Sequence, residues 1–379
     1  MKKIIINITL LLSVLFVQNN YAAKTQDGQP TLNDKKATTE TVQLYQKLKR
    51  ISENEKTVFG HQDDLAYGYH WWGNDSDIKQ VTGDYPGLYG WDMGHLGDEK
   101  NLDGVAFSDI KKYIEQTHLR GGITTLSWHM INLKMESSSW DKTAVVDQML
   151  KGGKYHKQFL KKLDLFAEFV NSLEVNNKKI PVLYRPWHEH NGSWFWWGAG
   201  NCSKEDYIKL WQFTVNYLRN KKDVHNIIYV YSTDAFKSEE EYLDRYPGDD
   251  YVDILGFDDY GAFKPNATKE REDWVVRELE TVAKLADAKN KLCAFTESGL
   301  EAVTDDTFFT KRLLSKLNYN EWTKKAAYVM LWRNANYEKE QRDHFYVPYK
   351  GHSSAADFIN FKNDQSILFE ADLKELKLN

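Results

Sequence analysis

Two glutamates stand where acid–base chemistry could occur. Glu189 lies in a segment dense in histidine and tryptophan, and Glu297 ends an apolar run shortly before a glycine. Apolar surroundings raise the pKa of a carboxyl group, so that it can remain protonated near neutral pH and act as a general acid. A second carboxylate that stays ionised can stabilise or attack an electron-poor carbon. The cleavage of glycosidic bonds uses such a pair.

Each carboxylate has a simpler interpretation. Glu189 could be held by Arg185 in a structural ion pair, and Glu297 could be a solvated residue at the end of a strand. The histidines beside Glu189 also suggest a metal hydrolase. A zinc-binding helix would need a second histidine four residues after His188, where the chain has Gly192. No cysteine–histidine cluster has the spacing of a zinc site, so we expect neither a metal nor another cofactor.

The aromatic residues are more numerous than a core demands. They make up 14% of the chain and include 13 tryptophans. Several lie at or just past predicted strand ends: Trp128, Trp194, Trp196, Trp197, Tyr260 and Trp332. The C–H faces of sugar rings pack on indole rings, while sugar hydroxyls bind Asp, His, Arg and Asn. The pattern indicates a sugar-binding surface, with Trp196 or Trp197 buried beneath the loop.

Short apolar runs alternate with segments of helical periodicity. The predicted strands cover residues 57–60, 87–91, 123–128, 180–185, 226–231, 252–257, 292–296 and 327–332. The predicted helices cover residues 39–51, 105–119, 159–173, 204–218, 274–288 and 306–317. Eight strands, each followed by a helix, predict an α/β fold of the (β/α)8 TIM-barrel type, with a doubly wound sheet as the alternative. Polar residues after nearly every strand favour the barrel, because it gathers all strand ends on one rim.

Charge and the N-terminal segment limit the partners. Fifty basic and 55 acidic residues give a net charge of −5 without a basic block, which excludes nucleic acid. Residues 1–23 have the basic start, apolar run and small final residues of a secretory signal peptide. We expect cleavage after Ala23, flexibility over residues 24–38, and one catalytic domain over 24–379. No cysteine follows the signal for lipid anchoring, so the destination is the periplasm or the medium, free of the membrane.

The chain has only two cysteines, Cys202 and Cys293. A disulfide is permitted outside the cytoplasm. However, Cys202 lies in a polar loop and Cys293 in an apolar strand, and a buried cysteine often behaves as a small hydrophobic residue. Two free thiols are therefore the favoured interpretation.

The run over residues 185–198, Arg-Pro-Trp-His-Glu-His-Asn-Gly-Ser-Trp-Phe-Trp-Trp-Gly, resembles glycoside hydrolase family 26. Most members of that family are β-1,4-mannanases on a (β/α)8 barrel. The likeness extends over most of the mature chain through residues 60–62, 89–92, 127–129, 256–260, 295–297 and 331–334. Trp187 stands where many members carry Phe, a change of one ring for another.

The resemblance implies a role for each matching residue. Glu189 becomes the acid/base and Glu297 the nucleophile of a reaction that retains anomeric configuration. The remaining residues become substrate-binding or supporting groups: Arg185 and His188 beside the carboxylates, Trp128 and Trp194 stacking on sugar, His129 orienting a neighbour, and Asp258, Tyr260, Trp332 and Arg333 around the cleft. The implied partners are mannan, galactomannan, glucomannan or manno-oligosaccharides, bound by a monomer.

Two further alternatives remain at this point. A related barrel could act on mixed-linkage β-glucan or xylan, because the contact to the axial 2-hydroxyl of mannose is not visible in the sequence. A non-catalytic glycan-binding protein would need only the aromatic rings, so the presence of both Glu189 and Glu297 argues against it. Endo or exo cleavage depends on whether the long loops at 131–154 and 334–352 close one end of the cleft.

Overall fold

A closed barrel of eight parallel strands forms the centre of the computed structural model, which describes residues 32–376. The strands are β1 (Thr57–Gln62), β2 (Leu88–Asp92), β3 (Ile123–Ser127), β4 (Val182–Arg185), β5 (Ile227–Asp234), β6 (Ile254–Asp259), β7 (Leu292–Ser298) and β8 (Ala326–Leu331). Each pairs with the next along the chain, and β8 pairs with β1, with Val58 opposite Tyr328 and His61 opposite Leu331. The predicted TIM barrel is confirmed. A doubly wound sheet is excluded, because it would leave β1 and β8 apart.

The helices of the described residues lie around the barrel and across one of its ends. They are α1 (Thr39–Glu53), α2 (Asp77–Thr82), α3 (Phe107–Arg120), α4 (Val146–Met149), α5 (His156–Ser172), α6 (Lys204–Asn216), α7 (Glu239–Leu243), α8 (Lys269–Ala288), α9 (Ser315–Leu317), α10 (Tyr337–Glu340), α11 (Ala355–Lys362) and α12 (Glu370–Glu375). π-Helical turns at Tyr217–Lys221 and Phe308–Leu314 follow α6 and precede α9. Short strands form three further pairings: Tyr67–Gly68 with Trp71–Trp72, Glu174–Val175 with Lys178–Lys179, and Ile367–Leu368 with β1.

Local sequence explains the helix positions. In α5 the buried residues Phe159, Leu163, Phe166 and Val170 recur at helical spacing and face the strands. Helix α8 begins five residues before the predicted start at 274, because the Thr268 side chain accepts a hydrogen bond from the backbone of Arg271 and caps it. The predicted helix at 306–317 is mainly π-helical.

Helix α1 closes the end of the barrel where the strands begin. Its residues Leu44, Tyr45, Leu48 and Ile51 are buried in one apolar cluster with side chains from inside the barrel, such as Val58, Leu183, Ile228 and Ile254. A second and larger cluster lies between the strands and the outer helices. The open end of the barrel is therefore the one where the strands finish.

Three smaller expectations concern the N-terminal segment, the cysteines and the membrane. Flexibility over 24–38 stays a prediction: within the described part of that segment Leu32 is buried and Asn33 hydrogen-bonds Asp253 and Val252, and residues 24–31 and the signal segment lie outside the described residues. Cys202 and Cys293 are free thiols, as favoured. Between residues 32 and 376, no helix is long and apolar enough to cross a membrane.

Candidate active site

A cleft of about 220 Å³ opens at the end of the barrel where the strands finish. It is lined by His129, Trp140, His188, Glu189, Trp194, Phe195, Tyr260, Glu297, Trp332, His344 and Tyr346. A larger cavity of about 360 Å³ lies at the opposite end, but lysines, acids and small residues line it, without aromatic rings. The cleft at the strand ends combines carboxylates with rings and is the candidate active site.

Glu297 is built into strand β7 and held by two donors. The Arg185 guanidinium donates to one carboxylate oxygen, and the Tyr260 hydroxyl donates to the other over 2.8 Å. Arg185 is only 1% exposed and also donates to Asp258 over 2.6 Å. Asp258 in turn accepts from the hydroxyls of Ser232 and Thr296. These contacts fix the orientation of the Glu297 carboxylate and place a positive charge beside it.

Glu189 sits on irregular backbone instead. The segment of residues 186–203 between β4 and α6, called here the β4 loop, contains neither helix nor strand. Two of its non-glycine residues have left-handed backbone, Trp187 at φ 49° and Glu189 at φ 51°. Each such residue costs about 1–3 kcal/mol and persists only where its surroundings hold it. The Glu189 amide donates to the Ser232 carbonyl at 3.0 Å, which anchors the loop to β5.

The surroundings of Glu189 favour its protonated form. Burial is the largest cause that raises its pKa well above the usual range, and Asp258, Glu297 and Asp234 raise it further by charge repulsion. The Trp194 indole donates to Glu189 over 2.6 Å and opposes that shift. A carboxyl group of this kind can carry a proton at neutral pH and deliver it.

Two histidines of the cleft have pKa values shifted in opposite directions. Burial alone would lower the pKa of His129, but the Asp92 carboxylate, 2.6 Å from its Nδ1, raises it above the ordinary value. Burial, with Arg185 as the next cause, lowers the pKa of His188 far below its ordinary value. The two rings meet edge to face at 4.8 Å. Over residues 32–376, no three or more His, Cys, Asp or Glu residues form a group suited to a metal ion.

The structure brings seven of the predicted site residues into the cleft wall: Glu189, Glu297, His129, His188, Trp194, Tyr260 and Trp332. Arg185 lies directly beneath them, bound to Glu297. Asp258 was expected around the cleft, but it is completely buried behind Arg185 and acts through that residue. Arg333 lies beside the wall, where it pairs with Glu340 at 2.6 Å and Asp103 at 3.4 Å.

The expectation that Trp128 stacks on sugar is wrong for this structure. The ring is 1% exposed and stacks on Phe166 of α5, with 5.3 Å between the centroids. It also stacks on Trp187, with 6.2 Å between the centroids. Its neighbour Ser127 points inward and donates to Asp92. Because successive side chains of a strand point to opposite faces, Trp128 points outward to the helices.

Sequence reasoning missed four residues of the cleft wall: Trp140, Phe195, His344 and Tyr346. Trp140 is half exposed and stacks on His129 at 5.0 Å, so it was detectable only as an isolated ring in a long polar loop. Phe195 lies within the 185–198 run, between Trp194 and Trp196, and its position there does not distinguish a cleft residue from a buried one. His344 and Tyr346 belong to the loop after β8, and no local pattern marks them.

The chain is similar to several known proteins. The model described as glycosyl hydrolase family 26 matches residues 33–345. A mannan endo-1,4-beta-mannosidase of Bifidobacterium adolescentis is 34% identical over 363 residues, which are 89% of this chain but only 35% of that protein. A mannan endo-1,4-beta-mannosidase of Bacillus subtilis is 29% identical, with 68% of each chain covered. Among solved structures, a GH26 beta-mannanase from Bacteroides ovatus has 39% identity, a TM-score of 0.83, and coverage of 90% of this chain and 99% of that one.

Proposed function

The chain belongs to glycosyl hydrolase family 26, and we propose that it is a retaining β-mannanase that cleaves β-1,4-mannosidic bonds of mannan, galactomannan or glucomannan. One observation carries the proposal. Two carboxylates face a single aromatic cleft, one half-buried with a raised pKa and the other held between Arg185 and Tyr260. The names of the relatives in Bifidobacterium and Bacillus, both mannan endo-1,4-beta-mannosidases, support the choice of substrate.

The first step of the proposed reaction forms a covalent sugar–enzyme bond. A carboxylate oxygen of Glu297 attacks C1 of the mannosyl unit while the bond from C1 to the glycosidic oxygen breaks. Glu189 gives its proton to that departing oxygen, so the leaving sugar is released as an alcohol. Trp194, which lies against Glu189, offers an indole face next to the bond that breaks.

The second step releases the product and restores both glutamates. Glu189, now a carboxylate, takes a proton from water, and the water oxygen attacks C1. The bond between C1 and Glu297 breaks and returns the carboxylate to the contacts with Arg185 and Tyr260. Two inversions at C1 retain the original configuration.

Substrate assays on the purified protein test the proposal. We expect release of reducing sugar from mannan and little from mixed-linkage β-glucan or xylan, with the β-anomer as the first product by NMR. A Glu297→Gln variant of unchanged melting temperature should be inactive and exclude a contaminating hydrolase. Faster cleavage of glucan or xylan would overturn the substrate, and a first product of the α-anomer would overturn the mechanism. The products from defined manno-oligosaccharides would separate endo from exo cleavage.

Export and the monomeric state form part of the same proposal. A polymer outside the cell is accessible only to an exported enzyme, and residues 1–23 have the features of a signal peptide. We expect the exported protein to begin at Lys24 by N-terminal sequencing and to elute as a monomer in size-exclusion chromatography. Retention in the cytoplasm would contradict the proposed export, and elution as a dimer would contradict the monomeric state.

A further inference from the structure

Arg245, shortly after α7, reaches into the β4 loop and binds it at three points. Its Nη1 donates to the carbonyl of His190 at 2.8 Å and to that of Trp197 at 3.2 Å, and its Nη2 donates to the carbonyl of Cys202. These carbonyls belong to both arms of the loop. One side chain therefore ties the arm that carries Glu189 to the arm that returns to α6.

The surroundings of Arg245 are unusual for a cation. The residue is only 4% exposed, and its guanidinium carbon lies 4.9 Å from the centroid of the Tyr207 ring. Arg245 donates to these three backbone carbonyls and also interacts with the Cys202 thiol, and among the described residues it forms no ion pair with a carboxylate. A buried charge is unfavourable unless polar groups compensate for it, so the three carbonyls and the guanidinium depend on each other.

The β4 loop is held by individual hydrogen bonds rather than by the repeating bonds of a helix or a sheet, so each bond between its two arms affects its shape. It lacks helix and strand, and Glu189 has left-handed backbone at φ 51°. The amide of Ala199 donates to the same His190 carbonyl that Arg245 binds, over 2.8 Å, so the two arms meet at this point. Proton delivery depends on position, and an error of about 1 Å can lower a rate by ~10²-fold.

We propose that Arg245 is a positioning residue, which holds Glu189 where it can protonate the leaving oxygen by binding both arms of the β4 loop. This inference rests on the proposed acid role of Glu189. The position of Glu297 does not depend on Arg245, since Glu297 lies in β7 and is held by Arg185 and Tyr260. Loss of Arg245 should therefore impair the step that needs an acid and spare the attack by Glu297.

Substrates with different leaving groups test this separation. A manno-oligosaccharide needs protonation of its leaving oxygen, whereas a dinitrophenyl mannobioside departs without it. For Arg245→Met we expect kcat/KM to fall by roughly 10–100-fold on the oligosaccharide. The rate constant of the pre-steady-state burst with the dinitrophenyl substrate should change by less than about threefold, because this step does not depend on the position of Glu189. Arg245→Lys should lie between wild type and Arg245→Met, because a lysine is a point charge without the planar fork of arginine.

A matched control uses another arginine at the other end of the barrel. Arg120 ends α3 and donates to Glu370 over 2.6 Å and to Tyr89 over 3.1 Å, so Arg120→Met also removes a partly buried guanidinium. It should lower the melting temperature without changing the ratio of the two activities. That ratio is the readout that a merely structural role of Arg245 would leave unchanged.

The outcomes separate the inference from the proposed function. If both activities of the Arg245 variants fall in parallel, or neither falls, the positioning role is overturned. Should Arg245→Met fail to fold, the ratio for Arg245→Lys decides in the same way. If Glu189→Ala itself loses both activities equally, the acid role of Glu189 fails, whatever the Arg245 variants do.

Discussion

The two glutamates of the cleft share a residue type and differ in almost every other respect. Glu297 belongs to a regular strand and accepts hydrogen bonds from a buried arginine and a tyrosine. Glu189 belongs to a loop with left-handed backbone, accepts one bond from an indole, and has a raised pKa. The roles proposed for the two residues rest on this difference in surroundings: donors and a positive charge suit a nucleophile, while burial and neighbouring carboxylates suit an acid.

Removal of Glu297 should have the largest effect. Glu297→Ala has no nucleophile for any substrate, so we expect turnover of both mannan and aryl mannosides to fall on the order of 10⁶-fold. Steady-state kinetics would measure it, with an unchanged circular dichroism spectrum as evidence of folding. Glu174→Ala, on the small hairpin before β4, should match wild type. Substantial activity in folded Glu297→Ala would overturn the assignment of Glu297 as the nucleophile.

Removal of Glu189 should have a smaller effect that depends on the substrate. With Glu189→Ala we expect about 10²–10⁴-fold slower cleavage of mannan, since the acid is missing. A dinitrophenyl mannobioside should still give a burst, followed by slow turnover, because the base for the second step is also absent. Azide should accelerate the slow phase. Equal losses on both substrates, with no burst and no azide effect, would show that Glu189 is not the acid/base.

The donors of each glutamate provide a finer test. Tyr260→Phe removes one hydrogen bond to Glu297, and hydrogen bonds to charged groups contribute about 1.5–3 kcal/mol. We expect kcat/KM to fall by roughly 10–100-fold on the oligosaccharide and the dinitrophenyl substrate alike. A loss confined to the oligosaccharide would mean that Tyr260 serves Glu189 instead.

Two tryptophans separate contact with sugar from packing. Trp194→Ala removes a half-buried ring beside Glu189, and we expect KM to rise by roughly 3–10-fold, from about 0.5–1.5 kcal/mol of ring contact. Trp128→Ala, within the layer between strands and helices, should instead lower the free energy of unfolding by about 3–5 kcal/mol. The molecules that remain folded should keep normal KM. Denaturant unfolding and steady-state kinetics on both variants would test this. A higher KM for Trp128→Ala, or a large loss of stability for Trp194→Ala with unchanged KM, would contradict the prediction.

The smallest expected effect is a shift in pH dependence. Activity requires protonated Glu189, so it is present below the pKa of that group and is lost as the pH rises through it. Trp194→Phe keeps a ring but removes the indole donor, which lowers that pKa in the wild type. The alkaline limb of kcat/KM should therefore move to higher pH. A limb that stays in place, or moves to lower pH, would indicate that another group controls it.

Local patterns in the sequence determined the elements and the pair of carboxylates. Apolar runs marked all eight strands to within a few residues, because buried parallel strands are continuously apolar. The helix stripe at Phe159–Val170 depended only on spacing. The count of strands then implied closure, and the polar residues after the strands implied a common rim. Glu189 and Glu297 could be predicted as site residues because Glu189 lies among histidines and tryptophans just past a strand, and Glu297 ends an apolar strand shortly before a glycine.

Which side chains reach the cleft depends on the folded barrel and its loops. Trp128 directly follows β3 and turns outward to Phe166, because it alternates with the inward-facing Ser127. Trp194 lies further along, in the β4 loop, and the course of that loop brings it to Glu189. Trp140 and Tyr346 enter the wall from loops about two hundred positions apart. The contacts of Arg245 likewise join segments that no local pattern connects. The spacing of residues along the chain indicates whether a segment is a helix or a strand. Which strand ends and loops come together is determined by closure of the barrel, which joins segments far apart in the sequence.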